Sequence, residues 1–181
     1  MRFPEKTVTL RDGRTVTLRS PEGSDAAEMI RYMKTVNSET EFLIRSADES
    51  DIPEADERAF LFRTVDSAND LMISAFSGER VVGNCQIGFH DRKKTRHRAG
   101  IAIAIVSDFW GCGLGTALMK ELIAAAIGHG VSQIELGFIE GNDRAKRLYE
   151  NLGFQIYGEV PDAYRLEDGS SRKEYLMRLC L

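Results

Sequence analysis

The stretch VSDFWGCGLGTALMKELI, Val106 to Ile123, constrains this chain more than any other, because an apolar strand-like run passes through three alternate glycines directly into a helix. Gly111, Gly113 and Gly115 lack the Cβ atoms that would keep a backbone from turning tightly or from presenting its own N–H groups to a ligand. A helix follows at once, since Leu114, Leu118, Leu122 and Ala125 share one face, with Ala117 beside them and Thr116, Lys120 and Glu121 turned away. Free N–H groups at such a helix start, together with the positive end of its dipole, favour an anion, most often phosphate. A tight turn alone would need one glycine, so three at alternate positions favour a phosphate cradle.

The rest of the chain reads as mixed α and β elements with no long linker or internal repeat. KTVTLRDGRTVTLRS alternates on both sides of Asp12-Gly13 and predicts a β-hairpin. A helix is expected from about Ser24 through Ala27, Ile30, Met33 and Lys34. A second should open after Ile52, with Pro53 in its first turn and Ala59, Phe60, Phe62 and Val65 as apolar surface. Two strands flank Ser77-Gly78, RAGIAIAIV gives another, and after the glycine loop and its helix come SQIELGFI, a short helix from Asn142, and the strands FQIYGEV and KEYLMRLCL. Strands gather before and after a central βαβ unit, so the class is α+β, with residues 1–181 read as one domain.

Charge and cysteine usage narrow the partners. A net charge of -4 gives no reason to expect nucleic acid or an anionic membrane, and HDRKKTRHR, His90 to Arg98, lacks interleaved aromatics and reads as a solvated turn. The longest apolar run, Ala99 to Val106, is too short to span a bilayer, and the N-terminus turns polar before a signal-peptide core could form. Cys85, Cys112 and Cys180 are far apart and lack metal-ligand spacing, which points to no metal and to the cytoplasm. From Glu39 to Glu57 eight acidic residues stand against Arg45 alone.

EGNDRAKRLYENLGF, Glu140 to Phe154, is the second informative stretch. Asn142 can cap a helix, Gly153 can end it, and Ala145, Leu148, Tyr149 and Leu152 form one stripe. By spacing alone Tyr149 is an aromatic core residue whose hydroxyl reaches the surface.

Together the two stretches resemble the GNAT superfamily of N-acetyltransferases, which move an acetyl group from acetyl-CoA to an amine. The resemblance is strongest from about Val81 to Phe154 and implies a mostly antiparallel central sheet with a splayed parallel strand pair, flanked by helices. In the family's pattern Gly113 and Gly115 take the glycine positions, Trp110 stands where Arg or Gln is usual, and Cys112 where Lys or Arg is common. The implied cofactor-binding set is Ile105, Val106, Gly111, Cys112, Gly113, Leu114, Gly115, Thr116, Asn142 and Ala145, with Tyr149 as the acid that protonates the departing thiolate. The implied partner is an amine-bearing small molecule or peptide, with room for a homodimer. The acidic stretch would border the acceptor cleft and favour a cationic amine, and a plain solvated surface explains it equally well.

The chemistry asks for such parts. Backbone N–H groups near Ile105 and Val106 would stabilise the oxyanion that forms as an amine attacks a thioester. An alkylamine, with a pKa of about 10.4, must also lose a proton. Many relatives place a Glu in the strand before the loop, where this chain has Gly100, leaving His97 and Glu135 as weak candidates. Cys112 reads as a small loop residue rather than a nucleophile. A CoA-binding module without turnover is one alternative. A dinucleotide-binding oxidoreductase is another, with Glu135 as its ribose acid, but the G-x-G-x-G spacing and the late position of the loop count against it.

Overall fold

The computed structural model describes residues 1–181, leaving aside the side chain of Ala47. In chain order the elements are β1 (Lys6–Thr9), β2 (Thr15–Arg19), α1 (Ala26–Ser38), α2 (Glu54–Asp66), β3 (Asp70–Ser77), β4 (Arg80–Phe89), β5 (Arg98–Ile105), α3 (Leu114–Gly128), β6 (Gln133–Ile139), α4 (Asp143–Asn151), β7 (Gln155–Arg165) and β8 (Ser171–Cys180). The strands form one eight-stranded sheet in the order β1-β2-β3-β4-β5-β6-β8-β7. All neighbours run antiparallel except β5 and β6. That parallel pair is in register only at Arg98↔Gln133, Ala99↔Ile134 and Gly100↔Glu135. Beyond Gly100 the two strands splay, so Ile101–Ile105 and Leu136–Ile139 leave a wedge in the sheet.

The alternation of β4 assigns helices to faces. Asn84 pairs with Ser74 and Ala104, and on that face Met29 Sδ approaches Ser74 Oγ at 3.8 Å while the Tyr32 hydroxyl donates to Ala104 O at 2.8 Å, which places α1 there. Gly83 points the other way, and a Cβ on it would stand 3.3 Å from Leu114 and 3.4 Å from Leu118, so α3 packs against the opposite face. The core joins the two layers through the sheet, with Leu18, Ile73, Ile87, Leu118, Leu122, Ile134 and Met177 fully buried.

Two expectations about helix faces are corrected. α1 begins at Ala26 after a 3-10 turn over Gly23–Asp25 and buries Ala26, Met29, Tyr32 and Val36, one residue earlier than the Ala27–Ile30–Met33 run. α2 buries Glu57, Leu61, Thr64 and Val65, whereas Ala59, Phe60 and Phe62 face outward. The cause is register: Leu61 and Val65 fix the inward stripe at i and i+4, and Phe60 and Phe62 then fall on its flanks. β7 also runs past Val160, where the expected strand FQIYGEV ends. It is the outer edge strand and Pro161 sits in a bulge between Val160 and Tyr164, where a missing N–H costs no ladder bond.

Candidate active site

The glycine loop is held as the sequence implies, with each glycine serving a different need. Gly113 caps α3 at φ 93°, a left-handed conformation that side chains resist, and Gly111 also has positive φ. Gly115 is helical, but a Cβ there would stand 3.0 Å from Leu148 Cδ2 and 3.4 Å from Ile105 Cδ1, so its role is to bring α3, α4 and the end of β5 together. The first bond of α3 runs from Ala117 N to Gly113 O, and no side chain caps the helix. The N–H groups that precede Ala117 therefore lack intrahelical acceptors, as an anion site requires. Leu114 points into the core and can offer only its backbone. Thr116 is half-buried at the same turn. Cys112 is buried and donates its thiol to Phe109 O at 2.9 Å, the geometry of a loop residue and not of an exposed nucleophile.

Residues that the motif does not name complete the loop. Trp110, in the position usual for Arg or Gln, donates its indole N–H to Ile105 O at 2.6 Å and carries the Arg144 guanidinium 3.1 Å over its ring. Partial burial pushes the Arg144 pKa down. Arg11, from the β1–β2 hairpin, donates its backbone N–H to Cys112 O at 2.9 Å, and its side chain lies against Gly113. Two cations thus stand beside a loop that has lost the positive charge usual at position 112. Arg144 was within reach of sequence reasoning, two residues into α4; Arg11 lies a hundred residues away and carried no signal.

At the end of β5 the backbone donors separate. Val106 N–H donates to Val82 O at 3.1 Å, and Ser107 N–H and Oγ both donate to the Glu39 carboxylate, at 2.6 and 2.8 Å. Val106 pairs with Val82 by its hydrogen bond, so alternation turns the Ile105 N–H away from β4 and into the wedge. Of the two expected oxyanion donors, Ile105 is therefore the available one.

α4 is built as its sequence implies. Asn142 Oδ1 accepts from Ala145 N at 3.2 Å, leaving its amide N–H groups free. Phe154 N–H bonds to Tyr149 O and Gly153 N–H to Glu150 O, both at 3.0 Å, a Schellman closure with Gly153 at positive φ. Ala145 and Leu148 are half-buried. Tyr149 is 7% exposed, its ring tilted against Phe138 and Phe154 at 6.2 and 6.0 Å. Among the described residues nothing hydrogen-bonds its hydroxyl, and burial alone pushes its pKa up to about 12. Such a phenol is fully protonated at neutral pH.

The weak base candidates fall away. His97 is exposed at the start of β5, about 25 Å of strand from Ile105. Glu135 is pinned by the Arg98 guanidinium, which donates to both its oxygens, and that pairing holds its carboxyl below the usual range. The acidic stretch is also largely engaged: Glu39 holds Ser107, Asp51 pairs with Lys34, Glu54 with Arg58, and Glu57 is buried. A trough of about 490 Å³ opens on the α1 face of the sheet, between Gln86, Gly88, Gly100, Ala102, Gly137 and Tyr157.

Comparison with known proteins decides the family. The model of the acetyltransferase (GNAT) family matches residues 35–154, from α1 to the end of α4. The chain belongs to this family. A GNAT-family acetyltransferase structure from Streptococcus pneumoniae is 29% identical, with a TM-score of 0.85 over 92% of this chain and 99% of that one. An acetyltransferase-family structure from Salmonella typhimurium, solved with its cofactor acetyl-CoA, is 19% identical over 92% and 94% of the two chains and shares the fold at a TM-score of 0.76. Among curated relatives, an L-amino acid N-acetyltransferase of Escherichia coli (strain K12), AaaT, is 30% identical over 59% of this chain and 65% of its own length, so the chain matches under two thirds of that relative. The family is one of acetyltransferases, and the Salmonella typhimurium structure holds acetyl-CoA, an acetyl donor. The site fits that donor, because the uncapped α3 N-terminus, Arg11 and Arg144 offer N–H groups and cations to its phosphates. Among the described residues no group of three His, Cys, Asp or Glu side chains could hold a metal ion, and no helix is long and apolar enough to cross a membrane.

Proposed function

We propose that this chain transfers the acetyl group of acetyl-CoA to the nitrogen of a small amine by direct attack, with Tyr149 as general acid. The observation that carries the reading is the unpaired phenol of Tyr149 beside the wedge that also receives the Ile105 N–H. Acetyl-CoA supplies an activated acyl group as its thioester. The N–H groups of the Gly111–Thr116 segment hold the pyrophosphate, Arg11 and Arg144 replace the cations absent at Trp110 and Cys112, and the free amide of Asn142, with Ala145 beside it, lines the pantetheine path. Ile105 N–H stabilises charge on the reacting carbonyl oxygen, and Tyr149 gives its proton to the departing sulfur.

The acceptor tested first is a free α-amino acid, the class that names the curated relative. A cationic acceptor is the second candidate, and its support has narrowed to Glu41, Asp48 and Asp56, for which neither an ion pair nor a side-chain hydrogen bond is found among the described residues, whereas Glu49 accepts from Ser46 N–H. The proposal carries with it a single domain over residues 1–181, a cytoplasmic setting suited to three free thiols, and assembly as a monomer or homodimer. The test is chromatographic detection of CoA and acetylated product over a panel of amino acids, polyamines and short peptides. Tight CoA binding with no product from any amine would leave a CoA-binding module and remove the transferase.

A further inference from the structure

The strand position that holds a Glu in many relatives is Gly100 here, and a Cβ on it would meet nothing within 4 Å. Its partner in register, Glu135, is held by Arg98. A different carboxylate comes to the wedge from β8. A Cβ on Gly137 of β6 would stand 2.8 Å from Glu174 Cδ and 3.2 Å from Glu174 Cγ, so Glu174 lies folded over the bare backbone of Gly137 in the space that a side chain would take. Gly137 pairs with Leu176 and Ile139 with Glu174, which puts Glu174 on the same face as Gly137, Glu135 and Gly100. That is the face with the trough, and Ala102 lines the trough directly across from Gly137.

The carboxylate is placed by a built feature. Between Val160 and Tyr164, β7 carries two more residues than β8 does opposite, and Asp162 in that bulge has φ 49°. Bulges of this kind re-aim side chains next to functional sites, and strained φ values persist where the surroundings enforce them. Here the bulge delivers the Tyr164 hydroxyl, which donates to Glu174 Oε1 at 3.1 Å. Glu174 is half-buried, and among the described residues it has no ion pair; the neighbouring Lys173 reaches Glu159 and Glu140 instead, at 3.3 and 3.9 Å.

The geometry points to Glu174 as the proton acceptor for the attacking amine, steadied by Tyr164. This inference rests on the transferase reading and deepens it. Phe138, next to Gly137, faces the other way and packs against Tyr149, so Glu174 and Tyr149 stand on opposite sides of the wedge. An acceptor that arrives as an ammonium first loses one proton to solvent. The N–C bond then forms and the C–S bond breaks. The nitrogen's remaining excess proton goes to Glu174, Tyr149 protonates the sulfur, and exchange with solvent returns both groups to their starting states.

Glu174→Gln keeps the shape and can still accept from Tyr164. With an amine found active in the panel, kcat/KM should fall on the order of 10² or more, while CoA affinity by calorimetric titration and Tm stay at the wild-type values. Adding Gly100→Glu to Glu174→Gln, which puts a carboxylate back from the other side of the wedge, should recover part of the loss, as no structural role of Glu174 would allow. If Glu174→Gln does not fold, Gly137→Ala tests the same point by pushing the carboxylate aside with its residue intact, and it should slow turnover with CoA affinity preserved. Turnover within threefold of wild type in the folded variant overturns the assignment, as does a loss that Gly100→Glu leaves untouched. Wild-type protein that acetylates nothing would instead overturn the transferase reading.

Discussion

Tyr149→Phe separates a catalytic phenol from a core ring, because the structure sets different sizes for its two effects. The ring contacts with Phe138 and Phe154 survive the change, and the hydroxyl has no hydrogen-bond partner to lose. An ordinary hydrogen bond would contribute about 1 kcal/mol, worth about 2–4 °C of Tm in a chain of this size, so the variant should melt closer to wild type than that. Turnover should fall on the order of 10² to 10⁴ if the phenol protonates the leaving sulfur. Alkaline pH gives a third reading. Burial raises the Tyr149 pKa from 10.0 to about 12, so above pH 10 the unfolded chain releases this proton before the folded one does, and stability falls as pH rises. Two units correspond to about 2.7 kcal/mol, the further loss that wild type shows between pH 10 and 12 beyond that of Tyr149→Phe, since Tyr32 and Cys85, whose burial also raises their pKa values, contribute equally to both proteins. Melting curves at pH 8 and pH 11, with turnover followed by chromatographic CoA release, measure all three; a disulfide reagent would also report the exposed Cys180. Wild-type turnover in a variant that keeps its Tm would refute the acid role. An equal alkaline loss in both proteins would refute the burial of the phenol.

Gly113→Ala forces a side chain into φ 93° with Arg11 3.3 Å away, so it should cost about 1–3 kcal/mol, lower Tm by several degrees and weaken CoA binding in titration. Arg144→Gln and Arg11→Gln should each reduce CoA affinity about tenfold, the worth of one charge-assisted hydrogen bond, and make it less sensitive to salt. Unchanged affinity in both would return the phosphates to the backbone alone. Glu57→Gln removes a buried carboxyl whose pKa burial raises. A raised carboxyl pKa opposes folding once the unfolded group ionises, so the variant should melt above wild type at pH 7, and the gap should close as pH falls below about 4.5.

Features set by a few consecutive residues were legible in the sequence. The glycine loop, the start of α3, the Asn142 cap and the Gly153 closure each rest on local backbone geometry, and the structure has all four. Faces were less legible where several apolar residues competed. In α2, Phe60 and Phe62 outweigh Leu61 in hydrophobic content, but packing depends on which residues align with β3, and Leu61 is the one fully buried. Least legible were side chains brought in from elsewhere in the chain. Arg11 reaches the loop because the β1–β2 hairpin folds over it, and Glu39 holds Ser107 across the end of α1. Neither contact has a spacing that sequence reasoning can test.

The wedge shows why the proton acceptor belongs to this last group. A Glu at position 100 would announce itself in the strand before the loop, but here that strand has only a glycine, and its absence reads as a missing function. The wedge has two walls, however, and a carboxylate can enter from either. On the β6 wall the entry requires three features far apart in sequence: a glycine at 137 to make room, a glutamate at 174 on the neighbouring strand, and a bulge at 161–163 that turns Tyr164 inward. Each has an ordinary local explanation when read alone, a weak strand residue, a strand charge and a proline-induced irregularity. Only the antiparallel register of β6, β8 and β7 puts them over one another. The two glycines are therefore complementary: Gly100 leaves the β5 side of the wedge open for an acceptor, and Gly137 admits the carboxylate that would deprotonate it.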